Sequence, residues 1–176
     1  MQGSNAHMPG TLAEASVAAA SASKPGGGGA GVDTSRLTHL TGYAASRAAI
    51  RLRKTFQQHL GPLQLRTVEF SVLVLVASNP RLNQKQLGEA LELSAPNLAL
   101  ILDRLAARGL VERVRSQIDR RSQQLHLTPA GRDLTARAEA IAATMENETL
   151  GVLSNGERAL LIELLLKVAR GRPASR

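Results

Sequence analysis

The sequence predicts a mostly helical protein with one small β-hairpin. Aromatic residues make up only 2% of the 176-residue chain, and its apolar side chains are mainly leucine and alanine, which favour helices over sheets. Apolar residues recur at three- and four-residue spacing through most of the chain, as on one face of a helix. The exception is a pair of short segments around a polar turn, directly after a helix that ends at Gly109. A helix followed at once by a short hairpin is typical of a winged helix-turn-helix.

Residues 1–33 form a low-complexity tail of alanine, serine and glycine that includes the run Gly26–Gly29. So few large apolar groups cannot offset the conformational entropy of the chain, and we expect this tail to be disordered. Its first residues, Met1–His7, are a candidate remnant of an expression vector. The folded part is expected at residues 34–170, followed by a short basic tail at residues 171–176.

An amphipathic helix is expected between Thr34 and Leu60, and Gly61-Pro62 ends it. A second helix, Thr67–Ser78, is apolar on most of its sides and is therefore expected in the core. The apolar positions of the first helix are Leu37, Leu40, Ala44, Ala48 and Leu52.

A helix-turn-helix is expected next. Asn83 has the side chain of an N-cap and begins a short helix over Gln84–Leu91, and Ser94 is expected to cap a longer helix over Ala95–Arg108. The second helix of such a motif lies in the major groove of DNA, and we call it the reading helix. Its buried face is predicted to carry Leu98, Ile101, Leu102 and Leu105.

The hairpin is expected to pair Val111–Arg115 with Gln123–Leu127 around a polar turn. Thr128-Pro129 then combines a capping side chain with proline at the first helical position, which begins a fifth helix. A last helix over about Ser154–Arg170 opens on a serine followed three residues later by a glutamate, the capping-box pattern. The fifth helix aligns Leu134, Ala138, Ile141 and Met145.

The last helix has almost no polar face. A monomer would leave a large apolar surface in water, so we expect a homodimer interface to which the first and fifth helices contribute. Packing within one subunit is the alternative. The architecture thus combines a winged helix-turn-helix at residues 65–128 with helices for dimerisation at residues 34–60 and 129–170. The apolar residues of the last helix are Leu160, Leu161, Ile162, Leu164, Leu165, Leu166 and Val168.

Composition narrows the class of function. The net charge is +8, and the first 33 residues hold one lysine against Glu14 and Asp33, so the excess charge belongs to the folded part and favours nucleic acid as the partner. The chain has no cysteine, its four histidines lack metal-ligand spacing, and no nucleophile lies in a recognisable strained turn. We therefore expect no enzyme and no metal or other cofactor. The apolar stretches are far shorter than the ~20 residues that a membrane-spanning helix needs, and the sequence shows no secretory signal. We therefore expect a cytoplasmic protein without a membrane partner.

An ordered series of motifs runs through the second half of the winged domain. It consists of Leu87, Leu93-Ser94, Leu102-Asp103-Arg104-Leu105, Gly109-Leu110-Val111, Arg113, Asp119-Arg120-Arg121 and Leu127-Thr128-Pro129-Ala130-Gly131. In these residues the chain resembles the multiple antibiotic resistance regulator (MarR) family of bacterial winged-helix repressors, over about residues 36–170. The resemblance implies a homodimeric DNA-binding transcriptional regulator, a repressor that a small molecule releases from a pseudo-palindromic operator.

The resemblance also implies a role for the hairpin tip, in which Arg121 enters the minor groove and Asp119 braces it. A guanidinium suits the negative potential of a narrow minor groove, and a carboxylate two residues away can fix its direction. The alternative is a solvated turn with an exposed ion pair worth less than ~1 kcal/mol.

The outer face of the reading helix is unusually apolar, where members of the family usually carry serine and threonine. We expect Pro96, Ala99 and Leu100 to meet thymine methyl groups and Asn97 to contact adenine. Arg104 is expected to contact phosphate or to pair locally rather than read a base. The full set of predicted DNA contacts is Gln84, Lys85, Ser94, Ala95, Pro96, Asn97, Ala99, Leu100, Arg104, Arg113, Arg115, Asp119, Arg120 and Arg121.

The family resemblance further implies a small-molecule cleft between the DNA-reading lobe and the dimerisation helices. Cationic and polar side chains on one flank of the first helix could hold an anion against an aromatic ring, with Phe70 as an apolar wall. A small aromatic acid and an aryl coenzyme A thioester both remain open as effectors, consistent with control of aromatic compound catabolism. Solvated interfacial side chains are the alternative. The candidate residues are His39, Tyr43, Arg47, Arg51, Lys54 and Phe70.

Two other binding functions compete with a specific regulator. A nonspecific architectural nucleic-acid-binding protein would have the same positive charge, and only the preference for a specific site separates the two. A dimeric protein-interaction adaptor with a degenerate reading head is the third hypothesis, and it predicts that neutralising Arg121 changes nothing.

Overall fold

The computed structural model describes residues 32–115 and 123–171. Residues from Ser35 onward form one compact unit, which is mostly α-helical with a two-stranded antiparallel hairpin. Nearly all of the predicted tail at 1–33, and all but the first residue of the tail at 171–176, lie outside the described residues. In chain order the elements are α1 (Ser35–Thr38), α2 (Thr41–Leu60), a 3₁₀ turn (Gly61–Leu63), α3 (Thr67–Ser78), α4 (Gln84–Ala90), α5 (Ala95–Ala107), β1 (Val111–Arg115), β2 (Gln123–Leu127), α6 (Pro129–Met145) and α7 (Asn155–Ala169).

The prediction of one continuous first helix is wrong, because the chain breaks between α1 and α2. Leu40 is extended, with φ −86° and ψ 118°, and its backbone N–H donates to Leu37 in a tight turn. The Thr38 hydroxyl donates to the Ser35 carbonyl at 3.0 Å. Threonine, histidine and glycine around this point are weak helix formers, so the apolar spacing alone does not hold the helix together.

The core lies under α3 and α5, where the sequence is most apolar. Val72 and Leu73 of α3 are fully buried, as expected for a helix that is apolar on most sides. The inner face of α5 is also buried, and it consists of the four residues predicted from helical spacing. The largest fully buried side chains are Leu60, Leu73, Leu87, Leu98, Leu102, Leu105 and Val72.

The caps of the helix-turn-helix differ from each other. The Asn83 side chain accepts from the Gln86 backbone N–H at 2.9 Å, and the Gln86 side chain accepts from the Asn83 backbone N–H, which completes a capping box. Ser94 occupies the predicted N-cap position of α5, but its hydroxyl makes no capping hydrogen bond. Pro96 lacks the backbone N–H that such a hydroxyl would otherwise bind, which removes one of the two usual donors.

The described strands of the hairpin pair with each other and with the segment before α4. Its register pairs Val111 with Leu127 and Arg115 with Gln123. The Leu125 N–H donates to the Leu82 carbonyl at 2.8 Å, which extends the pairing to the segment before α4. These backbone bonds fix the position of the described strands relative to the helix-turn-helix.

Thr128 and Gly131 connect the base of the hairpin to α6. The Thr128 hydroxyl donates to the Gly109 carbonyl at 2.6 Å and accepts from the Gly131 N–H at 3.0 Å, as its predicted role as an N-cap requires. Gly131 lies so close to the Leu110 carbonyl that a Cβ atom at this position would overlap the carbonyl oxygen. The end of α5, the start of β1 and the start of α6 therefore share one tightly packed corner.

The helix α6 packs against α2 and α3, whereas α7 buries none of its residues. The Ser154 hydroxyl oxygen accepts from the Glu157 backbone N–H, and the Glu157 carboxylate accepts from the Ser154 backbone N–H, which confirms the predicted capping box. The bonds that the Ser154 backbone N–H and hydroxyl donate to this carboxylate hold the pKa of Glu157 below its usual range. Arg158 binds Asn147 and Glu146 across the turn between α6 and α7.

Within the described residues no single helix is long and apolar enough to cross a membrane. Only α2 and α3 taken together reach that length and composition, and the two helices are bent relative to each other.

Candidate nucleic-acid interface

The outer face of α5 is exposed in the manner predicted from its periodicity. Pro96, Asn97 and Leu100 are exposed and Ala99 is half-buried, opposite the buried leucine and isoleucine face. Leu100 leaves 61% of its surface in water, a large value for a leucine. We call the exposed residues Pro96, Asn97, Leu100 and Asp103 the reading face.

The turn between α4 and α5 brings the first turns of both helices together. Leu93 donates its N–H to the Gly88 carbonyl at 2.9 Å, and Gly88 leaves no spare room, because a Cβ there would lie 3.3 Å from the Leu93 oxygen. A groove of about 670 Å³ forms beside this turn. Four of the predicted DNA-contacting residues line it, namely Gln84, Lys85, Ser94 and Ala95.

The cations predicted to contact DNA are less free than the sequence suggests. Arg113 on β1 binds Asp103 of the reading face, with Nη2 and Oδ1 separated by 2.9 Å. Lys85 lies 3.9 Å from Glu89 one helical turn later, and both side chains are largely exposed. Arg115 is exposed, and no carboxylate among the described residues pairs with it. Asp119, Arg120 and Arg121 at the hairpin tip lie outside the described residues.

Arg104 forms a local ion pair, which is one of its two predicted roles. Its Nε lies 3.2 Å from Oε1 of Glu69, a buried carboxylate on α3. The other oxygen of Glu69 accepts the Arg66 backbone N–H at 3.0 Å. A buried carboxylate requires such partners, so Arg104 both neutralises Glu69 and ties α5 to the first turn of α3. Sequence reasoning missed both the Glu69 and the Asp103 partner, because the residues of each pair lie on different elements.

The predicted effector residues divide between separate places. Arg47, Arg51 and Lys54 line one cleft of about 670 Å³. Its other polar walls include His59, which the sequence analysis did not select, Thr149 and one carboxylate, Glu148. We call it the basic cleft. Among the described carboxylates none forms an ion pair with these three cations. Thr55 and Thr149 join its two walls through a hydroxyl–hydroxyl hydrogen bond of 2.6 Å.

The other predicted effector residues do not join this cleft. His39 lies in the break before α2 and Tyr43 near the start of α2, and neither lines the basic cleft. Phe70 packs on Phe56 with ring centroids 5.9 Å apart, so the expected apolar wall is not part of the cationic cluster.

A second cleft, of about 610 Å³, lies on the opposite flank of α2. Phe56, Leu52 and Met145 supply its apolar lining, and Arg53 and Arg66 supply its cations. We call it the apolar cleft. Sequence reasoning missed it because its walls come from α2, the start of α3 and the end of α6. No group of three or more metal-ligating side chains occurs within residues 32–115 and 123–171.

Comparison with known proteins agrees with this geometry. The MarR family description matches residues 65–123, which cover the helix-turn-helix and β1. The transcriptional regulator HosA of Escherichia coli O157:H7 is 33% identical over 128 residues, or 70% of this chain and 95% of HosA. A putative transcriptional regulatory protein for the hcr operon of Thauera aromatica is 33% identical over 101 residues, or 57% of this chain, and the match spans only 61% of that relative's length.

Solved structures show the same fold. The transcriptional repressor CouR bound to a 23-mer DNA duplex matches with a TM-score of 0.75 and 38% identity, covering 79% of this chain and 99% of CouR. CouR bound to p-coumaroyl-CoA matches with a TM-score of 0.73 and 35% identity, covering 81% of this chain and 100% of CouR. Because HosA is matched over almost its whole length and the winged helix-turn-helix is shared with CouR, the chain belongs to the MarR family of transcriptional regulators.

Proposed function

We propose that the protein is a sequence-specific DNA-binding repressor that reads its operator with α5 and the adjoining hairpin. The observation that carries this proposal is the exposed, partly apolar reading face, held beside the cationic strand β1 by backbone pairing of the hairpin. An exposed leucine and proline on a helix of this kind fit thymine methyl groups in the major groove. The structure of CouR on DNA, at 38% identity, supports the same use of the fold.

A homodimer is the assembly that we propose for DNA binding. Seven large apolar side chains of α7 are exposed in the single chain, with Leu37 and Leu40 around α1. Surfaces of this kind are buried in stable dimers. A two-fold axis would present two copies of α5 to half-sites about one helical turn of DNA apart.

The test is selection of bound duplexes from a random pool, followed by competition with a scrambled duplex of equal length. A specific regulator prefers the selected, pseudo-palindromic sequence by ~10³ or more. A nonspecific architectural protein gives a ratio near one, and that result would overturn the proposal. The predicted minor-groove role of Arg121, braced by Asp119, is tested in the same assay with Arg121→Gln, since an adaptor with a degenerate reading head would show no change.

We further propose that a small anionic effector releases the repressor from DNA. The two clefts suit different chemistry: the apolar cleft offers Arg53 and Arg66 beside an aromatic ring, which fits an aromatic acid, whereas the basic cleft offers several cations, which fits the phosphates of a coenzyme A thioester. CouR bound to p-coumaroyl-CoA supports the second class.

Calorimetric titration with p-coumaric acid and with p-coumaroyl-CoA separates these classes. The variants Arg47→Gln and Arg53→Gln then assign each ligand to a cleft, because each removes one cation from one cleft only. Release of the selected duplex by the bound ligand is the expected outcome. If neither compound binds, the proposal of an aryl effector is not supported.

A further inference from the structure

The reading face carries a carboxylate, which is unexpected on a surface that approaches DNA phosphates. Asp103 follows Leu100 and Pro96 along the same exposed stripe of α5, and 61% of its side chain is exposed. An unpaired carboxylate in this position repels phosphate. In the structure it is bound to Arg113 of β1 at 2.9 Å, and we call these two residues the reading-face pair.

The reading-face pair changes what Arg113 can contribute to DNA binding. With its charge compensated by Asp103, Arg113 adds little to the sequence-independent attraction that free cations give. Its position, however, is tied to α5, since the bond to Asp103 crosses from the hairpin to the reading helix. A guanidinium has five N–H donors, so the groups that do not face Asp103 remain available for a phosphate or a base edge at one defined place.

We propose that Asp103 is a specificity-determining residue for DNA binding, which acts by holding and neutralising Arg113. This inference rests on the proposed DNA-binding function. On nonspecific DNA, where α5 is not docked in one register, the compensated pair contributes almost nothing. On the operator, the Arg113 guanidinium is already fixed by Asp103, so it loses little side-chain conformational entropy when it contacts a phosphate or a base edge. The ratio of specific to nonspecific affinity is therefore higher with Asp103 than without it.

The variant Asp103→Asn keeps the shape of the side chain and removes the charge. Binding is measured against the selected duplex and against a scrambled duplex of equal length, over a range of salt concentrations. We expect affinity for the scrambled duplex to rise several-fold and the slope of log K against log salt to steepen by about one, as for one additional free cation. Affinity for the selected duplex gains less, so the specificity ratio falls at least about threefold.

Two comparisons separate positioning from a general change in charge. Glu139→Gln removes one exposed negative charge from α6, outside the winged domain, and we expect it to leave the specificity ratio unchanged. In an Arg113→Gln background, Asp103→Asn is expected to raise both affinities equally, because no guanidinium remains to be held. An equal fall in the ratio in both backgrounds would mean that Asp103 contacts DNA directly and would overturn the inference.

The outcomes also distinguish this inference from the proposed function. If the wild-type protein shows no preference for any selected duplex, the proposed function fails, and the inference fails with it. If the wild-type protein is specific but Asp103→Asn has the same specificity ratio, only the inference is wrong. The pair is exposed, and the thermal unfolding midpoint of each variant verifies that its fold is intact.

Discussion

The exposure of Leu100 does not contribute to the stability of the folded protein. Leu100 leaves 61% of its surface in water on the outer face of α5, where a polar side chain would make the free protein more soluble. The proposed contact with thymine methyl groups would give this position a use on DNA. The neighbouring Pro96 and half-buried Ala99 extend the same apolar surface.

The variant Leu100→Ala tests this use. We expect operator affinity to fall by about 1 kcal/mol, because apolar contact area with the groove is lost, while the free energy of unfolding stays within ~0.5 kcal/mol, as for surface substitutions. Replacing thymine by uracil in the selected half-site removes the methyl groups from the DNA instead of the leucine from the protein. If uracil leaves the binding of the wild-type protein unchanged, the methyl contact is refuted.

At the scale of single residues, helical periodicity predicted the faces of α5 but not its ion pairs. Leu98 and Leu102 are buried and Leu100 is exposed because each residue advances ~100° around the helix, which the sequence alone determines. The partner of Arg104 is 35 positions away on α3. Pairing over that separation depends on how two helices pack, and local spacing carries no information about it.

At the scale of elements, Thr128 and Gly131 decide how the hairpin meets α6. The sequence predicted the cap and the helix start, because threonine followed by proline has a local signature. It did not predict why residue 131 must be glycine, since the Leu110 carbonyl that crowds it precedes β1 and is distant in sequence, although both residues lie at the base of the hairpin. The break at His39-Leu40 was missed for a related reason: apolar spacing continues through it, while weak helix formers interrupt the backbone.

Gly131→Ala is expected to destabilise the fold by about 2 kcal/mol or more, because the added Cβ overlaps a backbone oxygen that cannot move without shifting β1. Gly42→Ala is the matched control, since Gly42 also lies in the first turn of a helix and its added Cβ would meet nothing within 4 Å beyond its chain neighbours and the backbone of its own helix. We expect that control to be neutral or stabilising. Urea unfolding curves measure both, and equal midpoints would contradict the packing argument.

At the scale of the whole molecule, the distribution of apolar surface is uneven. The core of the winged domain is closed, with leucines at 0% exposure, while α7 exposes residues such as Leu160 at 52% and Leu164 at 48%. The sequence predicted this contrast, because a helix with no polar face needs a partner. It could not specify the partner, since the same pattern serves packing within one chain, and in the single chain α7 stays uncovered.

Leu164→Glu should convert the proposed dimer to a monomer, because each copy would place a charge in the proposed apolar interface without a compensating partner. Asn155→Glu is the control: it adds the same side chain to the first turn of α7, before the leucine-rich part, where a carboxylate is favourable to the helix. Sedimentation velocity at micromolar concentration measures the oligomeric state of both variants and of the wild-type protein.

The DNA affinity of the same variants connects assembly to function. Two linked reading helices gain ~10²–10⁴ in affinity over one, so Leu164→Glu is expected to bind the full operator at least about 100-fold more weakly while retaining weak binding to a single half-site. Asn155→Glu should remain dimeric and bind like the wild-type protein. A dimeric Leu164→Glu would place the interface away from the middle of α7. A wild-type monomer that binds the palindrome at full affinity would refute the two-fold arrangement itself.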